Sequence, residues 1–219
     1  MKLNNIKYLF YTNIDNKVLY LRTKLNKYFL SADNLKKIYG LSVRQIDYEN
    51  ATDLEIWCNT INNSYEDCSF TVLKAKDYLL NHLFLSENQT FIFVNGGGEI
   101  VASISLGIYK NNPKWSGLFR IAVRKDFQGM HYGYAIVLFA LSYLQSMGVK
   151  YCEDIVSSKR IPSLNMHLNI GFEPLLNVKN AIYTANQKNV NFIQSVRLFY
   201  RLKNAHKKYL RNLENLSIE

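Results

Sequence analysis

From Tyr134 to Leu144 the chain reads YAIVLFALSYL, and on a helix of 3.6 residues per turn these side chains leave no polar face. A helix that is apolar almost all round has to be buried, so the chain must fold into layers that cover it. What precedes it narrows the choice further. The run SGLFRIAV is β-like and ends at Val123, and Gln128 through Gly133 form a short glycine-bearing loop before the helix. Such a turn presents free backbone N–H groups at the positive end of the helix dipole, where a phosphate or pyrophosphate is stabilised. Glycine lets the backbone approach that anion closely. On its own, a tight turn accounts for Gly129 and Gly133 as well as an anion site does.

The rest of the chain supplies the layers. The 219 residues are enough for one main domain with additions. KYLFYT and KVLYLR read as short β-like runs around NIDN, followed by a small helix capped by Ser31 and stopped by Gly40. RQIDY reads as a strand, and NATDLEIWCNTINNSYED has helical spacing through Leu54, Trp57, Cys58 and Ile61. A further helix carries Val72, Ala75, Tyr78, Leu79 and Leu83 on one face. TFIFVNGGGEIVASISLGIYK is then a hairpin. Its three glycines are assigned to the turn, because no helix follows them. After a break at Pro113 come SGLFRIAV, the loop, the buried helix, the strand KYCEDIVSS and the short helix PSLNMHLNIGF, which ends at Gly171. The expected fold is mixed α/β, with antiparallel strands feeding a β-α-β unit.

Several classes are excluded or disfavoured. Cys58, Cys68 and Cys152 are widely spaced and match no metal-ligand pattern, so neither a metal site nor a disulfide framework is expected. The N-terminus breaks its apolar residues with Asn, Lys and Asp, and no run is long enough to span a bilayer, so a cytoplasmic location is expected. The net charge of +10 favours polyanions, whether nucleic acid, anionic lipid or phosphorylated cofactors, without choosing among them.

The ordered set of motifs resembles the GNAT superfamily of acyl-CoA-dependent N-acyltransferases over roughly Arg44 to Leu176. That family's pyrophosphate loop has the form Arg/Gln-x-x-Gly-x-Gly/Ala and opens a long helix. Here it reads Gln128, Gly129, Met130, His131, Tyr132, Gly133, with His131 where the middle glycine is usual. The family's Tyr-x-x-x-Gly-Phe segment matches at Gly171 and Phe172, with His167 at the tyrosine position. The resemblance implies a twisted, mostly antiparallel sheet splayed at its middle strands, with helices on both faces.

It also implies acetyl-CoA, or another acyl-CoA, held by Gln128, Gly129, Met130, His131, Tyr132, Gly133 and Tyr134. The thioester carbonyl would be polarised by backbone N–H groups in Ile121, Ala122 and Val123 as an amine attacks through a tetrahedral intermediate. Ser158, Arg160 and Ser163 sit where pantetheine or phosphate contacts are common, and His167 stands in for the family's acid. Glu153 and Asp154 are candidate bases that point to opposite faces of one strand, while Tyr109 and Trp115 are candidate walls of the acceptor site.

The expected organisation is an extension over 1–43, an acyltransferase domain over 44–185 and a basic amphipathic helix over 186–219. In that helix Phe192, Val196, Phe199, Leu202 and Tyr209 share one face, opposite Arg197, Arg201, Lys208 and Arg211. The expected function is acyl transfer to a primary amine on a small molecule or a protein, with a homodimer left open. The alternative is a catalytically weak binding module that docks on nucleic acid or an anionic membrane through the basic helix.

Overall fold

The structure is a computed structural model and describes residues 18–26, 28, 30–66, 68–80, 85–110, 112–157 and 160–174. The run KYLFYT, Leu83, Ser158, the segment NAIYTA and the basic C-terminal helix lie outside these residues. The chain divides into two compact units, Lys24–Glu153 and a second formed by Met1–Thr23 with Asp154–Glu219.

The larger unit begins with α1 (Ala32–Tyr39), and its ends are set by local chemistry. The Ser31 hydroxyl accepts from the Asn34 N–H at 3.2 Å, and Gly40 leaves the helix at φ 66°, where a side chain would be strained. Strand β2 (Ser42–Gln45) starts two residues earlier than RQIDY suggests and ends before Asp47. The Asp47 carboxylate accepts from the Glu49 N–H at 2.9 Å and turns the chain toward α2 (Ala51–Ser64), capped by Asn50. Arg44 grips Asp53 through two bonds of 2.9 and 2.6 Å and holds its carboxyl below the usual carboxylate range.

Helix α3 (Val72–Leu80) is followed by the hairpin of β3 (Leu85–Val94) and β4 (Ile100–Tyr109), then by β5 (Asn112–Val123). Pro113 lies inside β5, which corrects the expected break. Tyr109 pairs with Asn112 but Ile108 with Ser116, so residues 113–115 bow out of the β4 ladder and the missing proline N–H costs no ladder bond. The strand order is β2-β3-β4-β5, all antiparallel, and β5 pairs in parallel with the first part of β6 (Tyr151–Ser157) through Trp115–Gly117 against Tyr151–Glu153.

Alternation along β3 decides what covers each face. Ile92 joins Leu54, Trp57, Ile61, Ala75 and Leu79 in the core under α2 and α3. Its neighbours Phe91 and Phe93 meet Phe139 of α4 (Tyr132–Ser146) at ring distances of 5.4 and 5.7 Å. In α4, Ile136, Val137, Leu141 and Leu144 are wholly buried, as a helix apolar almost all round requires, and each contributes about 1.5–3 kcal/mol on burial. The segment after β1 (Val18–Lys24) also covers this helix: the Leu30 N–H donates to the Ser142 hydroxyl at 2.6 Å and the Tyr28 N–H to the Gln145 side chain at 3.1 Å.

In the second unit β1 lies between β6 and β7 (Glu173–Pro174), antiparallel to β7 with Leu21 opposite Pro174. Helix α5 (Ile161–Ile170) precedes β7 and stops at Gly171, φ 107°. Among the described residues no helix is long and apolar enough to cross a membrane. The architecture is the expected mixed α/β fold with a mostly antiparallel open sheet.

Candidate active site

The end of β5 is irregular where the chemistry was expected. Ser105 pairs with Phe119 and Ser103 with Ala122, so two residues of β4 face three of β5 and one residue is extra. Arg120 takes it up at φ 51°, a left-handed conformation that side chains seldom adopt. Phe119 and Ala122 therefore share the core face under α2 and α3, although an odd spacing would separate them in a regular strand. The Tyr65 hydroxyl donates to the Ile121 carbonyl and pins the bulge to the end of α2. Tyr65 was not singled out in the sequence, since nothing in NNSYED marks a contact with a strand 56 residues away.

The loop leaves β5 through a 3-10 turn at Lys125–Phe127, and the Arg124 guanidinium lies 5.5 Å from the Phe127 ring and 3.6 Å from Asp126. The Asn63 side chain accepts from the Lys125 N–H at 2.9 Å, and the Gln128 amide donates to the Val123 carbonyl at 3.1 Å, which folds the loop back on its strand. Beyond Gln128 the backbone donors run out of partners. The Gln128 N–H reaches the Lys125 carbonyl and the Ala135 N–H reaches the His131 carbonyl, but among the described residues no acceptor pairs with the six N–H groups from Gly129 to Tyr134.

These donors stand at the positive end of a fifteen-residue helix that carries about half an elementary charge there. Gly129 sits at φ 86° with nothing within 4 Å of where a Cβ would stand. His131, at the position the family gives to glycine, takes the conformation a glycine would, φ 59° and ψ 9°. Gln128, Gly129, Met130 and His131 are exposed, and Tyr132 and Tyr134 are half-buried. Burial pushes the Tyr134 phenol up. Ile121, Ala122 and Val123 lead directly into the loop within the larger unit, with Ala122 buried in the core and Ile121 and Val123 half-buried. An acyl-CoA pyrophosphate fits this donor set, because its oxygens accept what these amides offer and no side chain at Gly129 intrudes.

Tyr109 donates to Glu153 at 3.1 Å, and Trp115 stacks on Tyr151 at 4.5 Å. In the second unit, His167 and Ser163 are brought together. The His167 Nδ1 donates to the Ser163 carbonyl at 2.8 Å, and Nε2 lies 2.7 Å from Asp154 Oδ2 without hydrogen-bond geometry. The ring is wholly buried and packs on Phe172 at 5.0 Å. Arg160, exposed, is the N-cap of α5 and its N–H donates to the Ser157 carbonyl at 3.0 Å. Asp154 is buried with His167, while its neighbour Glu153 is half-buried. Among the described residues no cluster of three or more His, Cys, Asp or Glu could hold a metal ion.

A strand ending in a bulge, a glycine-bearing loop and a buried helix thus follow one another in a mixed α/β domain. The chain matches the model of the Acetyltransferase (GNAT) family over residues 52–172, more than half its length, and it belongs to that family. Similar solved structures include a GCN5-related glucosamine N-acetyltransferase region of a fungal multi-domain GH3 β-N-acetylglucosaminidase, at 14% identity and a TM-score of 0.54. That likeness spans 74% of this chain but only 20% of the fungal one. A GCN5-related N-acetyltransferase from Sphaerobacter thermophilus aligns at 13% identity and a TM-score of 0.54, over 79% of this chain and 52% of its own. The ribosomal-protein-S18-alanine N-acetyltransferase of Escherichia coli aligns at 18% identity and a TM-score of 0.49, over 61% of this chain and 77% of its own. At such identities the likeness is one of fold. No curated protein matches the chain.

Proposed function

We propose that this chain moves an acetyl or related acyl group from acyl-CoA to the primary amine of an acceptor. The observation that carries the reading is the row of unpaired N–H groups from Gly129 to Tyr134 at the start of α4, directly after β5. Those amides hold the pyrophosphate, and Gln128 keeps the loop against the strand. The bound cosubstrate supplies an activated thioester carbonyl. Backbone N–H groups of Ile121–Val123 polarise that carbonyl, Tyr65 and the bulge hold this stretch in place, and donors of this kind are commonly the largest electrostatic contribution to acyl transfer. The amine nitrogen forms the new C–N bond, the C–S bond breaks, and CoA leaves as a thiol.

Two protons must move. Glu153, oriented by the Tyr109 hydroxyl, takes the amine proton directly or through water, because Asp154 is already committed to His167. His167 was expected to protonate the thiolate, and its buried setting makes it equally a tie between α5 and β6. His167→Phe separates the two roles. A proton donor predicts a turnover number at least about 100-fold lower and an altered pH profile. An unchanged rate and profile in a folded variant would assign the residue to packing.

The test of the whole reading is a thermal-shift titration with acetyl-CoA, free CoA and a longer acyl-CoA, with ATP as a polyanion control, followed by assay of thiol release. A ligand at one hundred times its dissociation constant adds about 2.7 kcal/mol, which moves the midpoint of a chain this size by roughly 5 to 10 °C. Equal shifts with ATP would overturn it in favour of a generic anion site.

A further inference from the structure

The bulge in β5 does more than bend a strand. Phe119 and Arg120 are consecutive, and in a regular strand their side chains would point to opposite faces. Both reach Tyr78 instead: the Phe119 ring at 6.0 Å, the Arg120 guanidinium at 5.0 Å. The left-handed conformation at Arg120 brings this about, and strain of that kind persists where the surroundings or a function require it.

The site that receives the guanidinium is preformed. The Phe70 ring lies 5.1 Å from it, in the segment between α2 and α3, and the Asn62 side chain clamps the Phe70 backbone by accepting from its N–H at 2.8 Å and donating to its carbonyl at 3.0 Å. Trp57 meets Phe70 edge-on at 5.0 Å and Tyr78 at 6.3 Å, so the two rings that carry the cation are themselves held. The remaining neighbour is the Cys68 thiol, 3.7 Å from Nη1.

Among the described residues Arg120 has no carboxylate partner, its Nε is buried without an acceptor, and the nearby Glu66 faces Lys125 at 3.6 Å. A half-buried guanidinium packed beside two rings, with Nη1 donating to the Cys68 sulfur and Nε left without an acceptor, still has donors to offer a planar, bidentate acceptor. It also adjoins Ile121, the first residue of the stretch assigned to the acyl carbonyl.

We propose that Arg120 binds the carboxylate of the acceptor, so that the substrate is an amino acid or another small amine bearing a carboxylate, with Phe70 and Tyr78 flanking the site. This rests on the acyltransferase reading. The carboxylate accepts two parallel N–H bonds from Arg120, and the amine of the same molecule is thereby placed toward the carbonyl held at Ile121–Val123. Arg120 is a binding residue that sets specificity and takes no proton.

The test compares acceptors that differ only in this group: L-alanine, L-phenylalanine, β-alanine and 4-aminobutyrate, each beside its carboxamide, with acetyl-CoA and thiol release as the readout. At least one acid should exceed its amide in kcat/KM by about 10- to 150-fold, mostly through KM. Arg120→Gln should close that gap, and Arg120→Lys should close it in part, whereas a merely structural role would lower acid and amide alike. Equal turnover of every acid and its amide, or no turnover of any acid beside a normal acetyl-CoA thermal shift, overturns the carboxylate proposal and leaves the acyltransferase reading standing. Absence of any CoA shift overturns both.

Discussion

The protein has two glycine-bearing turns of similar composition and opposite design. In the β3–β4 hairpin, the Asn95 side chain accepts from the N–H groups of Gly97 and Glu99, both at 3.0 Å, and donates to the Glu99 carboxylate at 2.9 Å. Backbone bonds of 3.0 Å from Asn95 to Glu99 and from Gly98 to Asn95 complete the closure. The loop before α4 spends none of its donors from Gly129 to Tyr134 in this way. Glycine content does not distinguish a turn from a binding loop. What distinguishes them is whether the chain consumes its own N–H groups, and here a single asparagine makes the difference.

The strongest way to break this contrast is Gly129→Val. A β-branched residue at φ 86° costs about 1–2 kcal/mol in strain and fills the open approach to the amides. Loss of one charge-assisted bond should then raise the CoA dissociation constant by about 10- to 150-fold, measured by calorimetric titration. Retained affinity would mean that the anion sits elsewhere. Asn95→Ala attacks the other turn. Removing its three bonds should cost about 1–2 kcal/mol and lower the thermal midpoint by about 3 to 6 °C, while the shift produced by acetyl-CoA stays the same. A weaker CoA response in that variant would show that the hairpin takes part in binding. The smallest effect is expected from His131→Gly, which relieves a left-handed side chain at the cost of backbone entropy. A net gain of up to about 1 kcal/mol should raise the midpoint by about 2 to 4 °C. A fall would indicate that the imidazole makes a contact glycine cannot replace.

Features that depend on a few consecutive residues were legible in the sequence. Ser31 and Gly40 bracket α1, the largely apolar run from Ala135 to Leu144 is mostly buried in α4, and Asn95–Glu99 closes a hairpin. The position of the glycine-bearing loop was legible too, because a strand ending at Val123 and a helix opening near Tyr132 leave little else to place between them. Features that depend on pairing between distant segments were not. Pro113 reads as a break, yet it sits in a stretch of β5 that bows off β4, and only the register of the two strands reveals this. The same register creates the Arg120 bulge, and the Tyr65 contact with Ile121 follows from where α2 ends over the sheet. His167 was legible as a position in a motif, but its engagement by Asp154 and Ser163 was not, since that requires knowing how α5 lies on its own strand.

The extra residue at position 120 has a consequence for aligning chains of this kind. Changes of length in related proteins collect in loops, where the backbone can absorb them, and an alignment is usually adjusted to put its gaps there. In this protein a residue of β5 that β4 does not match stands in the middle of a covered sheet, between Phe119 and Ala122. An alignment that read through this bulge as regular strand would exchange inward and outward assignments for every position from Ile121 to Val123.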